Sequence, residues 1–316
     1  MSSMQRTVIT GAAGYLGRAM CGALRSQLAM SGDELVATDR EGESADVDLP
    51  GDIGDPALIE ALFARPVHRL FHFAGIVSGR AETDFALGRR VNLDATLALL
   101  ERCRTQAERG GPLVRFVYTS SIAVFGRPLP ERITDATAPL PTLSYGTHKR
   151  IVELLIDDYS RRGFIDGRAL RLSGVLLRPA LPNGALSSFN SDLIREPLAG
   201  RAYTCPVGPE ASVWITSLRS TLGNLLTLAE ADEQALGVQR CVTAPALVAR
   251  VVDIVAALGR IDAAAPARVS YRAQPAIEAQ FGRWPHDCSF DRARALGLNV
   301  ETSLDTLLKV CLEDAG

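Results

Sequence analysis

Nowhere in the chain do about 18 apolar residues follow one another, so the sequence predicts no transmembrane helix. The opening segment, MSSMQRTVITG, runs directly into an apolar strand pattern and lacks the basic, apolar, small-residue layout of a secretory signal. A cytoplasmic location is expected. Cysteine is sparse and scattered: Cys21, Cys103, Cys205, Cys241, Cys288 and Cys311 include no pair with metal or redox spacing. Reduced thiols are predicted, and nothing near Cys205 or Cys241 would activate either one. The four histidines stand apart, which argues against a structural zinc site, and no metal is expected. Neither charge sign dominates: 34 Lys and Arg face 36 Asp and Glu, for a net charge of −2. Without a basic field, neither nucleic acid nor an anionic membrane is an expected partner. Internal repeats and low-complexity tails are also lacking.

What remains is a globular composition, 47% hydrophobic and 22% charged, over 316 residues. That length suits a large domain with a smaller one attached. Short apolar runs at 6–10, 34–39, 68–74, 113–120 and 167–173 read as strands buried on both faces. Helical patterns near 15–29, 55–64, 89–108 and 144–162 lie between them. The alternation predicts an α/β fold, a Rossmann-type doubly wound parallel sheet with right-handed crossovers. After about 174 the chain turns rich in Pro, Gly and Ser, with helices expected near 217–231, 247–259 and 302–313. The predicted division is a dinucleotide-binding domain over 1–173, to which elements near 213–245 return. A smaller, interleaved substrate lobe would comprise 174–212 and 246–316.

The first strand is followed at once by VITGAAGYLGRAM, in which Gly11, Gly14 and Gly17 are three apart and a helix opens at Gly14 or Tyr15. Glycines permit a tight turn and close approach of backbone amides to a pyrophosphate, and the helix start adds partial positive charge. Strand before and helix after raise this pattern above a plain glycine turn. Asp39 ends the second strand, where a carboxylate accepts hydrogen bonds from the adenosine ribose and repels a 2′-phosphate. NAD is therefore expected over NADP, although Arg40 beside it offers a phosphate partner. Asp52, in PGDIGD, has two readings: a contact to the adenine amino group, or a turn or helix-capping residue.

Tyr145 and Lys149 sit four residues apart at the start of a helical pattern, on one face. Alone, the spacing fits an ordinary amphipathic helix start. Beside an ammonium, however, a phenol that normally titrates near 10 gives up its proton more easily. The segment YTSSIAVFG (118–126) ends the fourth strand with Ser120 and Ser121, at the sheet edge where ligands bind. A serine hydroxyl there can hold a substrate oxygen while the tyrosine takes its proton.

Taken in order, TGAAGYLG, GDIGD, HFAG, VNLDAT, TSSIAVFG and YGTHK resemble the extended short-chain dehydrogenase/reductases over essentially the whole chain. The resemblance implies Tyr145 as acid/base, Lys149 as its tuner and ribose ligand, and Ser121 as the residue orienting substrate. It implies cofactor contacts along Gly11, Ala13, Gly14, Tyr15, Leu16, Asp39, Asp52, Ile53, Phe73, Ala74, Gly75 and Val175. Asn92 would brace the site. Family analogy also suggests a homodimer pairing helices 89–108 and 144–162, although those faces could instead cover the sheet.

Within that family, HFAGIVSG, DFALGRRVNLDAT, DYSRRGFIDGRALRL, RPALPNGALSSFNSDLIREPLAG and CPV resemble the D-erythronate dehydrogenases. These use NAD to oxidise a four-carbon sugar acid beside its carboxylate. A nucleotide-sugar epimerase shares the Ser, Tyr and Lys, but such enzymes usually carry an asparagine after the fifth strand, where this chain reads Arg171-Leu172-Ser173-Gly174-Val175. The segment YTCPVGPEASVW also lacks any cation for a diphosphate. A non-catalytic NAD-binding regulator is a third alternative, although it would not need Ser121, Tyr145 and Lys149 together. A small carboxylate needs one arginine, and Arg178, Arg195 and Arg219 are available, each also readable as a surface ion pair. Ser78 is a substrate candidate or a turn hydroxyl. Ser188 and Asn190 are further substrate candidates in an irregular loop. Trp284 reads as core of the second lobe.

Overall fold

Strand and helix alternate from the amino terminus in the computed structural model, which describes residues 4–40, 47–178 and 186–315. Part of the segment that carries the narrower resemblance, 179–185, lies outside the described residues. The chain runs through β1 (Arg6–Thr10), α1 (Tyr15–Ser31), β2 (Glu34–Asp39), β3 (Leu49–Pro50), α2 (Pro56–Leu62) and β4 (Arg69–His72). Helices α3 (Ser78–Thr83) and α4 (Phe85–Arg89) precede a π-helical turn, Arg90–Asp94, that opens α5 (Ala95–Glu108). Next come β5 (Arg115–Ser121), β6 (Arg132–Ile133), α6 (Ser144–Arg161), β7 (Asp166–Leu172) and β8 (Gly174–Val175). They are followed by α7 (Phe189–Leu198), β9 (Tyr203–Cys205), β10 (Ser212–Thr216), α8 (Leu218–Glu230) and α9 (Glu233–Leu236). The strands β11 (Cys241–Thr243) and β12 (Leu247–Arg250) then lead into α10 (Val251–Leu258).

Seven strands form one parallel sheet in the order β11-β7-β5-β4-β1-β2-β3. The order reverses between β1 and β4, the crevice where a doubly wound sheet takes a ligand. Alternate residues of each strand enter opposite cores. Val8, Leu70, Phe116 and Ala169 meet Leu99 and Leu100 of α5 and Val152 and Ile156 of α6. Ile9, Phe71, Val117 and Leu170 meet Met20 and Leu24 of α1 and Leu225 and Leu228 of α8. With both faces covered, the strands need apolar residues at every position, which is why no alternating pattern marks them. Truncating a buried strand aromatic such as Phe116 to Ala would cost about 3–5 kcal/mol.

The smaller part has its own core of Phe189, Leu193 and Ile194 from α7, Ile254 and Leu258 from α10, and Leu307 and Leu308. Its three-stranded sheet runs β12-β10-β8. Thus β11 and α8 belong with the large sheet, whereas β10 belongs with the small one. Local patterning misleads at two places. The expected helix at 247–259 starts only at Val251, because Leu247–Arg250 pairs antiparallel with β10. The Pro-, Gly- and Ser-rich stretch after 174, where weak periodicity suggests loops with short elements, contains α7, whose apolar stripe packs against α10. Caps set other boundaries: Asp55 accepts from Ala57 N at 2.9 Å to start α2, and Ser217 Oγ accepts from Ser220 N at 3.0 Å to start α8.

Candidate active site

A cavity of about 880 Å³ opens over the carboxyl ends of β1, β5 and β7 and reaches the small lobe. Its cofactor side is built from the first turn. Gly11 has φ +73°, and a Cβ there would lie 2.5 Å from the Ala74 nitrogen. A Cβ on Gly17 would lie 2.0 Å from the Gly11 carbonyl, so only glycine lets α1 pack so close to the turn. Gly14 caps α1 with no side-chain acceptor, which leaves the first-turn amides to a ligand. Ala13, Tyr15, Leu16, Phe73, Gly75 and Val175 line the same wall, as do Arg18 and Ile76. At the end of β2, Asp39 accepts from Ala13 N at 2.9 Å and from Arg40 N at 2.6 Å, with its carboxylate on the cavity edge. An uncapped helix start, a glycine turn no Cβ could enter and a carboxylate at the next strand end fit a dinucleotide.

Other sequence candidates stand outside that wall. Asp52 accepts from Gly54 N at 2.8 Å and from Arg90 at 2.9 Å, and capping of α2 falls to Asp55. Ile53 is buried with the α2 core. Ala74 packs behind Gly11. Asn92 sits in the π-turn and clasps Ile76, accepting from its N at 2.7 Å and donating to its O at 2.9 Å. Such turns recur at functional sites.

The chemical centre lies where α6 crosses the end of β5. Tyr145, Lys149, Ser121 and Thr119 all line the cavity. Tyr145 and Ser121 lie close together on the cavity wall, where the serine hydroxyl pulls the phenol's pKa down, and Ser121 Oγ accepts from Ala123 N at 3.1 Å. The Lys149 ammonium donates to the Thr119 carbonyl at 2.7 Å. It stands 4.4 Å from the Tyr118 ring centre and 5.6 Å from that of Tyr145. Burial pushes Lys149 down to about 7, with Glu153 opposing. Burial also pushes the Tyr145 phenol above its ordinary value, against the pull of Arg178 and Ser121. His72 beneath is a core residue, hydrogen-bonded to Thr10 at 2.6 Å and Thr96 at 2.9 Å and pushed down to about 3 by burial.

Of the three arginines, the structure brings one to the cavity. Arg178 donates through Nε to the Val175 carbonyl at 3.1 Å, and its charge acts on Tyr145 and Tyr15. Burial lowers its pKa, so this cation is held where water compensates it poorly. The preceding residue, Leu177, has φ +54°, a costly conformation for leucine that directs the chain at this point. Arg195 is tied to Asp192 and Glu196, and Arg219 to Asp314 at 2.6 Å on the surface. Ser78 and Asn190 are buried and line the cavity, and Ser187 rather than Ser188 forms that part of the wall.

The far wall holds residues the sequence did not single out for the site: Gln280, Trp214 and Ser173. Trp284 is both core and wall, its ring 5.2 Å from that of Trp214. Glu153 was legible in principle, eight residues after Tyr145 on the same helical face. The conformation of Leu177 leaves no signal in the sequence.

Fold, glycine turn and Ser-Tyr-Lys centre together define the class. The chain belongs to the NAD dependent epimerase/dehydratase family, whose model matches residues 7–211, and NAD is its cofactor. Among named relatives, it is 41% identical over 322 residues to the D-erythronate dehydrogenase of Cupriavidus necator, covering 98% of each chain. It is 33% identical to the D-erythronate dehydrogenase of Haemophilus influenzae, covering 98% of this chain and 99% of that one. A solved structure described as a nucleoside-diphosphate-sugar epimerase from Agrobacterium tumefaciens is 37% identical. It superimposes with a TM-score of 0.90 over 98% of this chain and 94% of that one.

Proposed function

We propose that the protein is an NAD-dependent dehydrogenase that oxidises a secondary alcohol of a small sugar acid, D-erythronate to 2-dehydro-D-erythronate. The observation that carries this reading is the meeting of three groups on one cavity wall: the Ser121 and Tyr145 hydroxyls and the Arg178 guanidinium, whose charge acts on the phenol.

NAD, when bound, supplies the hydride acceptor. Tyr145 takes the substrate hydroxyl proton on its phenolic oxygen. Ser121 donates a hydrogen bond to that substrate oxygen as the carbonyl forms, in a site where a fixed donor is worth more than in water. Lys149, held in place by the Thr119 carbonyl, stands beside the phenol, where its ammonium, when charged, favours the phenolate. Arg178 pairs with the carboxylate and so sets which carbon faces the cofactor. Ser78 and Asn190 serve the remaining hydroxyls. In this reading the large sheet with α8 and β11 holds the cofactor, and the part built on α7, α10 and β10 closes over the substrate.

A second reading, epimerisation of a nucleotide-linked sugar, has in its favour the description of the 37% identical solved structure. Against it, Arg178 is the one cation lining the substrate side among the described residues, where a diphosphate calls for more. Incubation with NAD and a panel of four- and five-carbon sugar acids, read by NADH absorbance, separates the two. A homodimer through α5 and α6, which expose Leu97, Ile151 and Leu154, fits this reading and is tested by sedimentation. No helix among the described residues is long and apolar enough to cross a membrane, and we place the enzyme in the cytoplasm.

A further inference from the structure

We propose that Glu153 is a positioning residue for the reaction: it grips Ser120 and thereby fixes the neighbouring Ser121 hydroxyl against Tyr145. Three successive residues at the end of β5 meet three residues spaced by one helical turn along α6. Tyr145 shares the cavity wall with Ser121, whose hydroxyl acts on the phenol. Lys149 bonds the Thr119 carbonyl at 2.7 Å. Glu153 accepts from Ser120 Oγ at 2.6 Å. Positions i, i+4 and i+8 share one helical face, so α6 holds the strand end at three points.

Glu153 is fully buried, a costly place for a carboxylate unless it is paired. It accepts from Arg171 at 2.8 and 2.9 Å and from Arg150 at 3.0 Å. Arg171 is on β7, which pairs with β5 so that Ser120 stands opposite Arg171 and Ser121 opposite Leu172. The carboxylate therefore ties α6, β5 and β7 together directly beneath the reacting groups. Ser120 shares the α6 side of β5 with Phe116 and Tyr118; both serines reach the cavity wall, but the Ser120 hydroxyl is taken by Glu153. With its hydroxyl committed to Glu153, Ser120 acts on the chemistry through its neighbour. This separates it from the usual Ser-Tyr-Lys set, and the inference rests on the dehydrogenase reading of that set.

The test is a double-mutant cycle in the full-length protein with NAD. Ser120→Ala should lower kcat about tenfold and leave the KM for NAD within about twofold. In a Ser121→Ala background the same change should cost less than about twofold, because the group it positions is gone. Equal factors in both backgrounds, or no loss in either, overturn the proposal. Glu153→Gln should reproduce the loss of kcat with NAD binding retained, and wild-type kcat in that variant also overturns it.

A readout without substrate keeps this separate from the choice of sugar acid. Tyr145 faces Lys149 from its own helix, Arg178 from the loop after β8 and Tyr118 from β5. In the NAD complex, its tyrosinate absorbance, taken against Tyr145→Phe, should titrate about half a unit higher or more in Ser120→Ala. No further shift should appear on adding Ser120→Ala to Ser121→Ala. An unchanged titration in Ser120→Ala contradicts the proposal even if D-erythronate proves not to be the substrate.

Discussion

The Lys149 ammonium stands 5.6 Å from the centre of the Tyr145 ring and is held there by the Thr119 carbonyl, 2.7 Å away. The pair lies one turn apart on α6, at the rim of a dinucleotide cradle. Burial works against both charged forms: it lowers Lys149 to about 7 and raises Tyr145. Opposing influences act on both groups, Arg178 and Ser121 on the phenol and Glu153 on the ammonium.

If Tyr145 is the base, removing its hydroxyl should stop proton transfer and little else. Tyr145→Phe is expected to bind NAD within a few-fold of wild type and to form NADH roughly 10³-fold more slowly. Stopped-flow and titration measurements check the two halves. Turnover near wild type would remove Tyr145 from its role.

Arg178 should matter to the substrate and not to the cofactor. Losing a charged hydrogen bond of about 1.5–3 kcal/mol predicts a rise in KM for the sugar acid of roughly ten- to a hundredfold in Arg178→Gln. Arg219→Ala is the control, since its partners are exposed carboxylates at the surface, and should change KM less than about twofold. Steady-state kinetics on both variants distinguish the arginines.

Asp39 should govern the choice of dinucleotide. Its carboxylate is fixed at the cavity edge by two backbone amides and would repel a 2′-phosphate. Asp39→Ala is expected to lower kcat/KM for NAD and to raise the NADP-to-NAD ratio of kcat/KM by about tenfold or more, consistent with losing one charge contact. An unchanged ratio contradicts the assignment.

Lys149 should leave a mark on stability as well as on rate. Its ordinary value of 10.5 falls to about 7 in the folded protein. Between those values the unfolded chain binds more protons at this residue, so its contribution to stability rises with pH through that window and is smallest at and below about 7. The slope is at most about 1.4 kcal/mol per pH unit. Lys149→Met lacks this dependence. Thermal melts should show wild type gaining on Lys149→Met as pH rises from about 7 to 9, while the variant forms no NADH. A gap that is constant across that range contradicts the burial of this ammonium.

The large sheet was legible because doubly covered strands are short and apolar throughout, and because Gly11, Gly14 and Gly17 stand between a strand and a helix. Tyr145, Lys149 and Ser121 were legible because one helical turn and one strand end suffice to place them. The small lobe was not. Leu247–Arg250 turns from helix to strand only because β10 lies beside it. Neither the left-handed Leu177 nor the place on the cavity wall that separates Arg178 from Arg195 and Arg219 has a local sequence mark. Those choices belong to tertiary packing. Asp52 shows the opposite case: a carboxylate in a suggestive motif whose hydrogen bonds in the structure go to Gly54 and Arg90.

The most direct measurement is NADH absorbance after mixing the purified protein with NAD and D-erythronate. The proposed function predicts sustained NADH formation that requires Tyr145 and Arg178 and exceeds that with other sugar acids. No NADH from any four- or five-carbon acid, together with interconversion of a nucleotide sugar on retained NAD, would contradict it.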